Sequence, residues 1–361
     1  MKYKFYLACN YGFTNLEKRL LYEAFHNFEE IFSLTKEDFL RLPFMKEKNV
    51  KAALDFRKRF DLEKEYEDFA NKKMGLSCYF DDDYPKNLKL IHNAPFQLFY
   101  FGKLPQKEER IISVVGARRC SGYGREMTLR FSEELSKRGF SIVSGMAEGI
   151  DGYAHEGAIK GKTDTYAILG CGVDICYPPK HHILYEEIKK HGGVISEYGP
   201  KIPPRPDFFP NRNRIISGLC DVLLVMEAKE KSGSLITASL ALEQGKDIFA
   251  LPGRISDPLS NGTNKIISEG AGIICSISQL ISDMNELKDW DYQPMDCVYR
   301  KKLKLEKEDL MVYSCFDFNS KSIDEIVDET KLDLMTVLRS VLHLSDLGLI
   351  EESFLNQYIK V

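Results

Sequence analysis

The sequence predicts an α/β fold in which a parallel sheet carries helices on both faces. Short β-branched runs alternate with amphipathic helical stretches from about Phe80 to Met284. Glycine-rich turns follow several of these runs, as expected where strands end at ligand-binding loops. The stretches before and after have other periodicities, so we divide the chain into residues 1–70, 71–284, 285–305 and 306–361.

The alternation gives the order of the strands and helices. The strand-like runs are IISVVGA, FSIVSG, TYAILG, GVISEYG, DVLLVMEA, DIFALPG and AGIIC, in chain order. Each is typical of a strand buried on both faces, and the stretches between them have apolar residues at helical spacing. Strand–helix–strand units place successive strands in parallel, so their carboxyl ends meet at one edge of the sheet.

Residues 1–70 are predicted to be helical, because aromatic residues and leucines recur at spacings of three and four. No catalytic pattern is visible in this region. It fits either a packing or interaction domain or a helix-hairpin-helix type of nucleic-acid module.

Residues 285–305 are charged and irregular and are interpreted as a linker. The sequence SIDEIVDETKLDLMTVLRSVLHLSDLGLIEE then predicts a helix, a turn, a second helix and a small hairpin, the layout of a winged helix-turn-helix. The second helix offers only Arg339 and His343 as basic groups. We therefore expect this domain to bind a protein, or a nucleic-acid shape, rather than a specific major groove.

Composition bounds the location and the partners. The longest apolar runs are far shorter than the roughly 20 residues of a membrane span, and no signal peptide is visible. Nine cysteines are scattered without a CxxC pair, which favours the reducing cytoplasm. The formal net charge is −4, so a nucleic acid would need a local basic patch.

The turn after the first parallel strand, VVGARRCSGYG, is the first candidate anion site. Gly116 lets the backbone approach an anion closely, and the next helix presents its N-terminus there. Arg118 and Arg119 stand where a phosphate would bind. The turn is not a GxGxxG fingerprint, so we expect no dinucleotide cofactor.

Other loops at the same edge supply similar groups. The loop GCGVDICYPPKHH presents Lys180 on a stiff turn, and KSGSLITASLALEQGK places Gly233 and Ser234 at a helix N-terminus. Plain N-capping by serine is the alternative for the latter. Asp151 and His155 could share a helix face, where we expect a hydrogen bond between them to fix the helix start. No third ligand is evident nearby, so no metal is expected.

The segment FFPNRNRIISGL carries Arg212 and Arg214 near a predicted helix start, where the helix dipole disfavours cations. Arginines there are favourable once an anion binds, and Asn211 or Asn213 could cap the helix. Cations interleaved with aromatic residues suit single-stranded nucleic acid, because cations contact phosphates and aromatic faces stack on bases.

Six ordered motifs closely resemble those of the DNA-processing protein A family, also called DprA or Smf. They are VVGARRCSGYG, SGMAEGIDGYAHEGA, LGCGVDICYPP, FFPNRNRIISGL, SGSLITASLALEQG and ALPG, over about residues 80 to 280. The resemblance implies an extended Rossmann-like core, an N-terminal helical SAM-like domain and a C-terminal winged-helix domain. It also implies a homodimer through the core, for which ALEQGKDIFALPG is the candidate region.

The family resemblance implies a non-enzymatic role. Such proteins bind single-stranded DNA during natural transformation, protect it and help to load the RecA recombinase. Carried over by position, the DNA contacts would be Arg118, Lys180 and Arg212 or Arg214.

Two alternatives remain at this point. Related Rossmann-like phosphoribohydrolases use a PGGxGTxxE loop whose glutamate acts on the ribose, but Leu240 stands at that place here and cannot do so. A pure interaction scaffold would leave the basic sheet edge unexplained.

Overall fold

The computed structural model describes residues 1–107, 109–288, 306–316, 321–347, 349–354 and 356–360. Contacts group the chain into two compact units, Met1–Leu287 and Lys288–Val361. The interpreted linker, residues 285–305, lies mostly outside the described residues. Its described start belongs to a helix that extends to Lys288.

The first seventy residues form six short helices, as predicted. They are α1 (Lys2–Cys9), α2 (Asn15–Phe25), α3 (Phe28–Ser33), α4 (Lys36–Leu40), α5 (Glu47–Arg59) and α6 (Leu62–Asn71). Thr14 and Thr35 cap α2 and α4 with reciprocal capping boxes. Apolar residues of these helices, such as Phe5 and Phe69, share one buried cluster with Val194 of the sheet. The helical region therefore packs onto the sheet as part of the first unit.

A nine-stranded sheet forms the centre of the first unit. Its strands are β1 (Gly75–Cys78), β2 (Gln97–Gly102), β3 (Ile111–Val115), β4 (Ser141–Ser144), β5 (Thr165–Leu169), β6 (Gly192–Ser196), β7 (Val222–Val225), β8 (Asp247–Ala250) and β9 (Gly272–Ile273). The spatial order is β1-β2-β6-β5-β4-β3-β7-β8-β9. Strands β3 to β9 pair in parallel, and all seven were predicted.

The prediction of a parallel sheet is corrected at one edge. Strands β1 and β2 pair antiparallel with each other, and β2 pairs antiparallel with β6, so the sheet is mixed. These two strands were not predicted. Strand β2 joins the sheet by pairing with β6, almost a hundred residues further along the chain, and β1 joins it through β2. The pairing of β2 with β6 is a tertiary feature that no local pattern carries.

Helices cover both faces of the sheet. They are α7 (Lys86–Lys89), α8 (Gly122–Lys137), α9 (Ile150–Gly161), α10 (His182–Lys190), α11 (Phe208–Leu219), α12 (Gly233–Glu243), α13 (Asn261–Ser268) and α14 (Ile277–Lys288), with a 3-10 turn at Pro179–His181. Alternate residues of β5 show the two faces. Ala167 and Leu169 join the buried cluster that contains the N-terminal helices, whereas Tyr166 and Ile168 join the cluster under α11 and α12.

The strand order contains a switch point between β3 and β7. From β3 the chain adds β4, β5 and β6 on one side, and then crosses back to place β7, β8 and β9 on the other. The loops that leave β3 and β7 therefore diverge to opposite faces, and a crevice opens between them. Open α/β sheets bind ligands at this place, outside the carboxyl ends of the strands.

The second unit contains α15 (Lys307–Cys315), β10 (Lys321–Ser322), α16 (Ile323–Thr330), α17 (Leu334–Asp346), β11 (Ile350–Phe354) and β12 (Gln357–Lys360) among its described residues. The strands form an antiparallel sheet in the order β10-β12-β11. Val312, Ile326, Val337 and Leu344 form its buried centre. The helix, turn, helix and closing hairpin lie where the sequence predicted them.

Across the part of the chain that is described, no helix combines the length and the apolar composition that crossing a bilayer requires.

Candidate functional site

A cleft of about 630 Å³ opens at the switch point of the sheet. We call it the strand-end cleft. Its lining comes from the loops after β3, β4, β5 and β7 and from the start of α11. The residues that the argument uses are Gly116, Arg118, Arg119, Asp151, Tyr177, Phe209, Arg212, Lys229, Lys231, Gly233 and Ser234. The structure thus brings together six of the eight predicted site residues.

Close backbone approach builds the turn after β3. A Cβ at Gly116 would lie 2.6 Å from the Ile150 side chain, and one at Gly149 would lie 2.4 Å from the Ala117 carbonyl. Gly149 also has φ 78°, which favours glycine. The Ile150 N–H donates to the Ala117 carbonyl at 3.2 Å. This packing fixes the turn and leaves Arg118 and Arg119 exposed to solvent.

One wall of the cleft is aromatic. The ring of Phe209 lies 5.6 Å from the ring of Tyr177, and the Arg118 guanidinium lies 5.5 Å from the Phe209 centroid. A Cβ at Gly170 would come within 2.9 Å of the Phe209 ring, so glycine makes room for it. A cation on an aromatic face is a favourable pair, and it pre-positions Arg118 for a ligand.

Arg212 lies in the floor of the cleft and is 5% exposed. Its Nη1 donates to the Gly145 carbonyl at 2.8 Å and also to the Ile168 carbonyl. Burial lowers the pKa of its guanidinium, and the nearby Asp151 carboxylate opposes that shift. The side chain therefore joins the ends of β4 and β5 while its charge contributes to the field of the cleft.

Arg214 does not line the cleft. It is 9% exposed, and its Nη2 donates to both carboxylate oxygens of Glu197 at 2.7 Å. Asn15 of α2 also donates to Glu197, at 2.7 Å. The structure therefore places Arg214 in a buried ion pair between α11, the end of β6 and the helical region, and not at the predicted phosphate site.

The start of α11 differs from the sequence prediction. The helix begins at Phe208, so both arginines lie beyond its first turn, and its N-cap Asp207 makes no side-chain capping bond. Asn211 and Asn213 were expected to cap it and do not. The Asn213 amide instead donates to the Gly233 carbonyl at 3.5 Å, toward the loop before α12.

The start of α12 confirms one of the two interpretations of its loop. Ser232 is the N-cap and accepts from the Ser234 N–H at 3.3 Å, so serine capping is confirmed. A Cβ at Gly233 would meet no atom within 4 Å, so the backbone faces open space. The N-terminus of this eleven-residue helix lies at the edge of the strand-end cleft, where it favours an anion.

Lys180 lies outside the cleft lining. Its ammonium pairs with the Glu148 carboxylate at 2.8 Å, and both side chains are largely exposed. This pairing lowers the pKa of Glu148. The adjacent His181 bonds to the Met146 carbonyl at 3.0 Å and so joins this loop to the end of β4.

Sequence reasoning missed two lysines. Lys229 and Lys231 line the cleft from the loop after β7 and are exposed. The signal was present in the sequence KEKSGS, which follows a strand at the same sheet edge as the other loops.

The cleft has a strong excess of positive charge. Arg118, Arg119, Arg212, Lys229 and Lys231 line it, against a single carboxylate, Asp151, among the described lining residues. Asp151 is 7% exposed and accepts from the Ala147 N–H at 3.4 Å. Burial raises its pKa, and Arg212 opposes that rise. The expected bond from Asp151 to His155 is not formed, since His155 pairs through Nδ1 with the Thr165 hydroxyl at 2.7 Å.

Comparison with known proteins finds the same family that the sequence motifs resemble. The family model described as DNA recombination-mediator protein A matches residues 75–285, more than half of the 361 residues. The chain is 42% identical to DNA processing protein DprA of Streptococcus pneumoniae over 203 residues, which is 56% of this chain and 72% of that protein. It is 32% identical to protein Smf of Borreliella burgdorferi over 276 residues, 74% of this chain and 84% of that protein.

Two solved structures are similar in fold and sequence. The X-ray structure of DprA from Streptococcus pneumoniae has a TM-score of 0.67 and 35% identity, covering 78% of this chain and 97% of that chain. The DprA structure from Helicobacter pylori, described as showing a single-stranded DNA binding mode, has a TM-score of 0.54 and 31% identity. It covers 60% of this chain and 97% of that chain.

Proposed function

We propose that this chain, which belongs to the DNA recombination-mediator protein A family, binds single-stranded DNA in the strand-end cleft. The observation that carries the proposal is the composition of that cleft. Five cations and two aromatic rings line it, with one buried carboxylate among the described lining residues. The single-stranded DNA binding named for the Helicobacter pylori relative supports the same ligand.

Each group has a defined task in this proposal. Arg118, Arg119, Lys229 and Lys231 contact phosphates, and the start of α12 adds backbone N–H groups. Phe209 and Tyr177 stack on bases, which every base permits, so binding tolerates any sequence. Arg212 contributes positive charge from the floor of the cleft, and its hydrogen bonds join the ends of β4 and β5.

Lys180 contributes at the rim. Its pair with Glu148 is exposed and contributes little, so a phosphate can replace the carboxylate. Arg214 has no role in DNA contact, because Glu197 neutralises it inside the protein.

The cellular role we propose follows the family. The chain protects incoming single-stranded DNA during natural transformation in the cytoplasm and helps to load the RecA recombinase onto it, acting as a homodimer through the sheet core. We assign the second unit as a winged helix. Its helix α17 exposes Leu334, Met335 and Leu342 beside Arg339, which suits a protein partner better than a major groove.

Catalysis is not part of the proposal. A phosphoribohydrolase needs a carboxylate at the ribose, and the corresponding place holds Leu240 of α12. Asp151, the remaining carboxylate of the described lining, accepts a backbone N–H beside Arg212.

Fluorescence anisotropy with labelled oligo-dT and a duplex of equal length tests the ligand. We expect preference for the single strand and a log–log salt slope of about −2 to −3, since each neutralised phosphate contributes about −0.7. Equal affinity for the duplex would contradict single-strand binding. Release of adenine from AMP would support the enzyme instead.

Loading of RecA is tested separately. We expect the protein to shorten the lag of RecA filament formation on single-stranded DNA covered by a single-strand-binding protein. An unchanged lag, with DNA binding intact, would refute the loading role alone.

A further inference from the structure

The aromatic and cationic surface does not end at the strand-end cleft. Phe208, beside the cleft residue Phe209, stacks on Tyr198 with ring centroids 4.0 Å apart and planes 18° apart. The Arg205 guanidinium lies 4.8 Å from the Phe208 centroid. Arg205 is exposed and pairs with the exposed Asp207 at 3.1 Å. The pattern of cation on aromatic ring therefore repeats one residue outside the cleft.

Tyr11 of the helical region continues this line. Its ring lies 6.3 Å from the ring of Tyr198 and is 41% exposed. The Tyr11 hydroxyl accepts from the Gly199 N–H at 2.5 Å, which fixes the ring in place. The buried Lys18 ammonium lies 5.1 Å from the ring centroid, so the exposed part of the ring faces away from Lys18. A fixed aromatic ring open to solvent can stack on a base at low entropic cost.

Helix α5 supports Tyr11 from below. A Cβ at Gly12 would lie 2.3 Å from the Ala53 nitrogen, so the backbone after Tyr11 packs directly on α5. The position of Tyr11 is therefore fixed by the hydrogen bond at its hydroxyl and by the packing of its backbone.

We infer that single-stranded DNA held in the strand-end cleft continues past Phe208 to Tyr11 of the helical region. We call Arg205, Phe208 and Tyr11 the helical-domain lane. The inference rests on the proposed function, because it extends the same strand beyond the cleft. It gives the N-terminal helices, for which the sequence left two interpretations open, a role in nucleic-acid binding.

The chemistry of the lane matches a single strand. Arg205 is placed to contact a phosphate, and the exposed ring of Tyr11 and the edge of Phe208 are placed to contact bases. Asp207 is neutralised by Arg205, and it would release that arginine to a phosphate, since their pair is exposed. A duplex would fit poorly, because its bases are stacked on one another and cannot reach Tyr11.

The experiment compares two lengths of oligo-dT, about 5 and about 20 nucleotides, of which only the longer exceeds the usual footprint of a single-strand site. The test variant is R205E in the full chain. The matched control is K160E, which reverses one exposed lysine near the end of α9, on the opposite edge of the sheet.

We expect R205E to lower affinity for the long oligonucleotide about 10-fold and to reduce its salt slope by about 0.7, the contribution of one phosphate contact. Affinity for the short oligonucleotide and both affinities of the control variant should stay at the wild-type value. Equal behaviour of R205E and K160E on the long oligonucleotide would overturn the inference.

Two further measurements separate this inference from the proposed function. R118E should weaken both lengths, and its failure to do so would refute the cleft itself. A 5-iodouracil base placed along the long oligonucleotide should cross-link to Tyr11 under ultraviolet light. Cross-links confined to Tyr177 and Phe209 would show a strand that stays in the cleft.

Discussion

Two regions of this protein each contribute a pair of arginines to one neighbourhood, yet the pairs have opposite environments. In the turn after β3, Arg118 and Arg119 are exposed, and Arg118 rests on an aromatic ring. In the second turn of α11, Arg212 and Arg214 are buried and bonded to protein groups. Two arginines stand close together in the sequence in both regions, so the availability of the guanidinium is what distinguishes a ligand contact from an internal brace.

The difference teaches how to read arginines at a sheet edge. The N–H donors of an exposed guanidinium are available to a ligand. Those of a guanidinium that already bonds to carbonyls or a carboxylate are used within the protein. Arg212 is intermediate, because it lines the cleft while it bonds to Gly145 and Ile168. Variants of the two pairs should therefore separate DNA affinity from stability.

The largest effect should come from Arg214→Ala. It leaves the Glu197 carboxylate buried beside Asn15 without its cation. We expect the free energy of unfolding to fall by about 3–5 kcal/mol in urea titration. The double variant Glu197→Gln with Arg214→Met should recover part of that loss. An unchanged unfolding midpoint would remove the distinction between the two pairs.

Arg118→Glu should lower DNA affinity and leave stability unchanged. We expect affinity for oligo-dT to fall about 100-fold, because a charge-assisted phosphate contact is replaced by repulsion. The unfolding midpoint should match the wild type, since the side chain is exposed. Anisotropy and urea titration on the same preparation check both. Loss of stability would place Arg118 with the buried pair.

Arg212→Ala tests the intermediate case. Removing the guanidinium leaves the Gly145 and Ile168 carbonyls without this donor, so we expect a loss of about 2 kcal/mol in the free energy of unfolding. DNA affinity of the folded variant should fall less than for Arg118→Glu. An effect on affinity as large as that of Arg118→Glu would make Arg212 a direct phosphate contact.

Lys231→Glu tests whether an exposed cation from a second loop also contributes to DNA affinity. This lysine lines the cleft across from the turn after β3 and belongs to a different loop. We expect affinity for oligo-dT to fall about 10-fold, as for reversal of one phosphate contact on a flexible side chain. The Lys160→Glu variant, at the other sheet edge, should bind as the wild type does. Equal losses in both would indicate a general charge effect.

The buried residues near the cleft should make the stability of the protein depend on pH. Burial, with smaller contributions from His181 and Arg212, lowers the pKa of His155 from 6.5 to about 3. Between those values the unfolded chain binds a proton that the folded chain does not, so stability falls as the pH drops through that window. We expect the free energy of unfolding from urea titration to be lower at pH 5 than at pH 7, with a fall of up to about 1.4 kcal/mol per pH unit for one group. His155→Asn should reduce the difference.

Much of the fold could be predicted from the sequence because it is locally encoded. The seven parallel strands correspond to short β-branched runs in the sequence. The helices between them correspond to amphipathic stretches with glycine and serine at their ends. Strands β1 and β2 escaped prediction because β2 joins the sheet by a tertiary contact with β6, and β1 joins it through β2. The capping of α11 was predicted wrongly, because Asn213 bonds to Gly233 at the start of α12 instead of to its own helix.

The sequence by itself determined that glycine-rich and basic loops follow parallel strands, and hence that they meet at one sheet edge. The tertiary structure alone decided which loops border the crevice, since the order of β3 and β7 sets the switch point. It also decided which cations are buried against protein partners and which stay exposed. The partners of Arg212 and Arg214 are Gly145, Ile168 and Glu197, at the carboxyl ends of β4, β5 and β6. No local pattern encodes a partner so distant along the chain, and burial of a guanidinium depends on that partner.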